Sequence, residues 1–141
     1  MSGAAALKLL AQDADDLAVI SAALQDAVTR IGDISYEPGA RRLTIAFNRF
    51  CWERPGGERV RAGLQIGCVL AVKARRLRRE AKDAILELLA LTFEPEEPPG
   101  GRINLAFAAG GDIAARVECV DAALVDLSAP WPAPHTPAHL T

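Results

Sequence analysis

Hydrophobic and polar residues alternate over positions 43–48, with the period of two that is typical of a strand with one buried face. Phe50 and Trp52 break the phase, because an unbroken strand would place both rings on the face opposite Phe47. We therefore expect a β-bulge or a sharp bend at residues 48–49, which would return both aromatic side chains to the core.

The same alternation recurs along the chain and predicts about seven antiparallel strands. Turn-forming residues such as Pro38-Gly39 and Gly110-Gly111 separate them at hairpin spacing. The predicted strands cover residues 34–36, 43–52, 60–72, 86–94, 103–107 and 113–117. Within 60–72, Gly63 and Gly67 mark either bends or a break into two short strands. Residues 4–11 fit either an edge strand or a loose segment.

Two segments change to a period near 3.6 and predict helices. The first has Asp13 as a good N-cap and Gly32 as a plausible stop. Its apolar stripe consists of Leu17, Ile20, Leu24 and either Ala27 or Val28. The second is a C-terminal amphipathic helix, whose apolar stripe consists of Val117, Val120, Leu124 and Leu127.

Residues 73–82, which we call the basic segment, fit two structures. Strong helix formers and a stripe that includes Leu77 and Ala81 favour a helix. The following residues end in Thr-Phe-Glu-Pro, which favours a strand over 86–94. We predict a basic loop or helical turn followed by that strand.

These elements predict an α+β fold. The order of strands followed by one last helix fits a pleckstrin-homology-like barrel, in which that helix plugs an open end. A strongly bent, open antiparallel sheet covered on one face by both helices is the alternative. Residues 1–128 would form one globular domain, and residues 129–141, with four prolines, would form a disordered tail unless Trp131 packs back.

Several motifs resemble a bacterial family known as domain of unknown function 2948. The resemblance covers residues 7–128 and implies no activity, cofactor or site residue. The motifs are Leu-Ala-Val-Ile-Ser-Ala-Ala-Leu-Gln-Asp from Leu17, Asn48-Arg49-Phe50 with Trp52-Glu53, Leu91-Thr92-Phe93-Glu94-Pro95, and Val117-Glu118-Cys119.

Composition points to a cytoplasmic protein of one domain. The chain has 141 residues, half of them hydrophobic, so it can bury a core without metal or disulfide. Cys51, Cys68 and Cys119 form no C-x-x-C pair, which fits buried free thiols in a reducing compartment. The first residues do not form a secretory signal, and the longest apolar stretch is too short to cross a bilayer.

Charge is distributed unevenly. Residues 41–82 hold twelve Lys and Arg against three acids, whereas the rest of the chain holds four basic and fifteen acidic residues. The candidate site for an anionic partner lies in the basic segment, where we expect the cations to converge on one face with Leu77 as the anchor. Its residues are Lys73, Arg75, Arg76, Arg78 and Arg79.

Catalytic patterns are missing from the sequence. His135 and His139 both lie in the proline-rich tail, and no Walker loop or G-x-G-x-x-G is present. We therefore expect no metal and no cofactor, and predict a non-catalytic binding or adaptor domain of unknown partner. Its basic segment fits either an acidic protein partner or a solvated surface that binds nothing. A nucleic-acid-associated protein that uses the basic segment is the alternative, and an enzyme with a Cys nucleophile ranks third.

Overall fold

The computed structural model describes residues 6–133, in which eleven strands and one α-helix alternate with short turns. The helix α1 spans Ala14–Ala23. The strands are β1 (Lys8–Ala11), β2 (Val28–Arg30), β3 (Ile34–Glu37), β4 (Arg42–Phe50), β5 (Glu58–Ile66), β6 (Val69–Arg75), β7 (Ile85–Pro95), β8 (Gly101–Phe107), β9 (Asp112–Val117), β10 (Ala122–Asp126) and β11 (Trp131–Pro132).

All paired strands are antiparallel and form one open sheet, in which the strand order differs from the order along the chain. The order along the sheet is β1-β10-β5-β4-β2-β7-β8-β9-β6, with β3 added beside β4 and β11 beside β5. The α+β class and the antiparallel sheet are confirmed, but the described residues form eleven strands rather than about seven. The pleckstrin-homology-like barrel is not confirmed, because in the described residues β1 and β6 end the path without pairing to each other.

The helix α1 begins as the sequence predicts and ends earlier. Asp13 is the N-cap, and its side chain accepts a hydrogen bond from Asp16 N–H at 2.8 Å. The predicted stripe is buried, including Leu17 and Ile20 on the helix and Leu24 at its C-cap. The chain then turns directly into β2, which pairs with β4 and β7, so the helix does not reach Gly32.

The predicted bulge in β4 is wrong. Its pairing with β5 runs without a register shift from Leu43 to Phe50. The inward face continues past Phe47 to Arg49, which is fully buried. The phase is therefore unbroken, and the charged Arg49 takes an inward position, while Phe50 is buried as expected without a bulge.

The predicted C-terminal helix is also wrong, because residues 122–126 form the strand β10. This strand lies between β1 and β5, which satisfy its backbone hydrogen bonds on both sides. Leu124 is buried as expected, but Leu127 is 62% exposed. A buried position every second residue, at 122 and 124, replaces the expected helical stripe.

The proline-rich tail begins with structure. Trp131 and Pro132 pair with Arg59 and Glu58 of β5, so the expected absence of regular structure does not hold there. Residues 134–141, which include both histidines, lie outside the described residues.

A single hydrophobic core joins both halves of the sheet and the helix. It includes Ile20 of α1, Phe47 of β4 and Phe107 of β8. In the described part of the chain, no helix is long and apolar enough to cross a membrane.

Candidate functional site

The basic segment spans the end of β6 and most of the loop that follows it. Lys73 and Arg75 lie in the strand, and residues 76–84 form the loop before β7, which confirms the predicted loop followed by a strand. The five candidate cations are all exposed. Leu77 is half-buried and packs against the core, so it anchors the loop as expected.

Most of these cations have no salt bridge with the described residues. Arg75 is the exception, since its guanidinium donates two hydrogen bonds to Asp112, at 3.0 and 2.8 Å. Through these bonds Arg75 lowers the pKa of Asp112. The acids that follow in the chain, Glu80, Asp83 and Glu87, form no salt bridge with the segment.

The candidate cations do not all share one face. Side chains alternate along β6, so Lys73 and Arg75 point to the outer side of the sheet. They line a cleft there together with Asp112 and Glu94. Arg79 lies instead at an apolar groove that opens beside β6.

This groove, between β3 and β6, has a cavity volume of about 400 Å³. Its walls are mainly apolar, and two cations, Arg79 and Lys82, stand among its lining residues. The other lining residues are Ile31, Ile34, Tyr36, Leu43, Val72, Ala74, Leu77 and Ile113.

The groove exists because two neighbouring strands do not pair. The N–H of Val69 donates to the carbonyl of Arg41 at 2.9 Å, which holds the start of β6 near the turn that follows β3. Beyond this bond, β6 pairs with β9 and β3 with β4, and no hydrogen bond joins β3 to β6 in the part of the chain described.

The loop that carries Arg79 and Lys82 is tied down at both ends. Gly32 and Ile31 donate backbone hydrogen bonds to Lys82 and Ala84, at 2.9 and 3.0 Å. At the other end, Leu77 sits so close to Gly111 that any Cβ at that glycine would collide with it. The cations at the groove are therefore mounted on an anchored loop.

Sequence reasoning missed a second charged cluster, which is centred on Arg49. Its guanidinium donates to both carboxylate oxygens of Asp126, each at 3.0 Å, and to both of Glu53, at 2.9 and 2.8 Å. Burial alone would lower the pKa of Arg49, but the hydrogen bonds to the two carboxylates outweigh it and the pKa is raised. The spacing of Arg49 and Glu53 is the one signal the sequence offered; Asp126 is distant in the chain.

The pKa is raised at two of the three cysteine thiols. Burial raises the pKa of the Cys51 thiol. The Sγ atoms of Cys68 and Cys119 lie 3.6 Å apart, and the hydrogen bond between them raises the pKa of Cys68. A raised pKa leaves less of the reactive thiolate at neutral pH. Among residues 6–133, no group of three potential ligand side chains could hold a metal ion.

Comparison with known proteins gives one match. The family model described as a protein of unknown function (DUF2948) matches residues 7–139. Neither the curated proteins nor the solved structures contain a match to this chain.

Proposed function

The chain belongs to the DUF2948 family of proteins of unknown function, and from its own surface we propose that it is a non-catalytic binding module. Its partner is an acidic segment of another protein, and the basic segment recognises that partner. The observation that carries this proposal is a concentration of exposed cations that form no salt bridge with residues 6–133. Within seven positions these are Lys73, Arg76, Arg78 and Arg79.

Neighbouring like charges repel one another, and this repulsion raises the free energy of the surface that carries them. Elsewhere on the chain, the half-buried Arg42 and Arg102 have carboxylate partners at 3.2 and 3.1 Å, although the exposed Arg30 and Arg116 form no salt bridge with the described residues. A partner that brings carboxylates to the basic segment would supply the missing partners. The apolar groove beside Arg79 adds a contact that a purely electrostatic surface lacks.

One observation favours a protein over a nucleic acid. Single-stranded nucleic acid is commonly held by bases stacked on exposed aromatic rings. Tyr36 is the aromatic residue that lines the groove, and it is half-buried and packs against the core.

The test compares partner classes directly. A labelled peptide that alternates Glu with Val or Ile is titrated with the protein, and its fluorescence anisotropy is read from about 50 to about 300 mM NaCl. A peptide with Gln in place of each Glu is the matched control, and single- and double-stranded oligonucleotides represent the alternative.

We expect the acidic peptide to bind at least about tenfold more tightly than the Gln peptide at low salt, and this margin to shrink as salt screens the charges. Absence of binding by the acidic peptide would contradict the proposal. If an oligonucleotide binds more tightly than the acidic peptide, the basic segment is a nucleic-acid-binding site instead.

A further inference from the structure

We infer that the groove between β3 and β6 receives the acidic partner as an added β-strand, whose residues alternate between apolar and acidic. This inference rests on the proposed function and specifies how the partner binds. The backbone of the added strand pairs with the free edge of β6, its apolar side chains enter the groove, and its carboxylates face the cations of β6.

The edge of β6 offers unused backbone groups. In an antiparallel pair, alternate N–H and C=O groups point away from the partner strand. The strand β6 pairs with β9 on one side, and in the described structure no strand lies along its other side. The edge of β3 that faces away from β4 is unpaired in the same way. An extended segment added at such an edge gains main-chain hydrogen bonds.

The side chains of β6 dictate the sequence pattern of the partner. Val72 and Ala74 line the groove, whereas Lys73 and Arg75 point to the outer side of the sheet. Side chains of neighbouring strands that stand opposite each other share a face and interact. Apolar side chains of an added strand would thus lie beside Val72 and Ala74, and acidic ones beside the two cations.

The groove suits the inward side chains of such a strand. Its floor includes buried Leu43 and Ile113, and its volume of about 400 Å³ admits a few side chains and no folded element. Arg79 and Lys82 stand at the same groove, where they can pair with further carboxylates of the segment or with its end.

Charge complementarity excludes the chain's own terminal segments as the occupant. Residues 1–5 and 134–141 contain no Asp or Glu side chain. A small amphipathic acid would satisfy the apolar walls and the two cations but would leave the strand edges unpaired. The paired occurrence of an apolar groove and free edges therefore favours an extended peptide.

The test separates backbone pairing from charge. The alternating acidic peptide is compared with the same peptide carrying N-methyl groups on alternate backbone nitrogens, which removes hydrogen-bond donors and keeps every side chain and charge. Two N-methylated versions, one for each set of nitrogens, cover both registers. We expect one of them to bind at least about tenfold more weakly than the parent peptide.

Hydrogen exchange on the wild-type protein locates the binding without any substitution. Binding of the parent peptide should slow exchange of backbone amides in β6 and in β3, while amides at the distant edge strand β1 stay unchanged. Filling the groove with Ala74→Leu should weaken binding at least about tenfold, whereas the matched Ala123→Leu should not, because Ala123 is half-buried on β10 and lines neither the groove nor the outer cleft.

The outcomes distinguish this inference from the proposed function. Equal affinity of both N-methylated peptides and the parent, without slowed exchange in β6, would overturn strand addition and leave electrostatic binding intact. Absence of any peptide binding would overturn both. The inference also fails if dodecanoate shifts the amides of Val72 and Ala74 while the peptide does not, or if a second copy of the chain protects the same edge in a concentration-dependent dimer.

Discussion

Arg49 and the arginines of the basic segment carry the same guanidinium group in opposite surroundings. Arg49 is fully buried and donates hydrogen bonds to two carboxylates. Arg76 and Arg79 are exposed and form no salt bridge with the described residues. A buried charge without partners would destabilise the fold by several kcal/mol, so the partners of Arg49 are built into the structure. An exposed arginine carries no such penalty, and its partner can come from another molecule.

The largest expected effect follows from removing a partner of Arg49. Asp126 is 3% exposed, and besides Arg49 it accepts a hydrogen bond from Leu7 N–H at 2.9 Å. Asp126→Ala should therefore lower the free energy of unfolding by about 3–5 kcal/mol, measured by urea denaturation. Glu37→Ala, which breaks the exposed pair with Arg42, is the control and should cost no more than about 1 kcal/mol.

A double variant tests whether the stability lost in Asp126→Ala comes from leaving the buried charge of Arg49 without this partner. Replacing both partners, as in Arg49→Met with Asp126→Leu, removes the buried charges together and should recover a large part of the loss. If Asp126→Ala alone costs no more than Glu37→Ala, the structural role of the Arg49 cluster is wrong.

The next effect is a dependence of stability on pH. The hydrogen bonds from Arg49 lower the pKa of Glu53. A carboxyl group with a lowered pKa in the folded state stabilises the fold above its unfolded pKa, and this contribution is lost as pH falls through the folded value. Wild-type stability should thus drop more steeply than that of Glu53→Gln between about pH 5 and about pH 3.

Denaturation of the two proteins at a series of pH values measures this difference. Parallel curves for wild type and Glu53→Gln over that acidic range would contradict the linkage. At neutral pH, where Glu53 is ionised in both the folded and unfolded states, the gap between the curves should be constant.

The strands were predictable from the sequence wherever Pro or Gly marked the turn between them and one face of the strand was uniformly hydrophobic. The pairing of Tyr36 with Leu43 across the turn at Pro38-Gly39 is an example. The burial of Arg49 was not predictable. The period of two places position 49 on the inward face, but a charged side chain is expected in solvent unless it has partners, and its partner Asp126 is set only by the tertiary fold.

The strand β10 shows how tertiary pairing overrides a local pattern. Val117, Val120 and Leu124 have helical spacing and are all buried, but they belong to β9, a turn and β10. Residues 122–126 form a strand because the edges of β1 and β5 supply hydrogen-bond partners on both sides. The local sequence pattern contains no information about these edges. The groove was missed for a similar reason, since it depends on two strands that fail to pair.

A smaller effect is expected at the one salt bridge of the basic segment. Asp112→Asn would release Arg75 and remove a negative charge from the outer cleft. Because both side chains are solvated, the melting temperature should change by no more than about 1–2 °C. Affinity for the alternating acidic peptide should rise about two- to threefold, read by anisotropy at low salt. Weaker binding would mean that Asp112 positions Arg75 for the partner.

The most direct test of the account compares two triple variants in one anisotropy titration with the acidic peptide. Arg76→Gln, Arg78→Gln and Arg79→Gln remove cations of the basic segment. The control, Lys8→Gln, Arg42→Gln and Arg54→Gln, removes the same positive charge at residues that line neither the groove nor the outer cleft.

The account predicts that the first variant binds at least about tenfold more weakly than the control at about 50 mM NaCl, with its unfolding transition unchanged. Equal affinities of the two variants would contradict it, because overall charge rather than the basic segment would then govern binding.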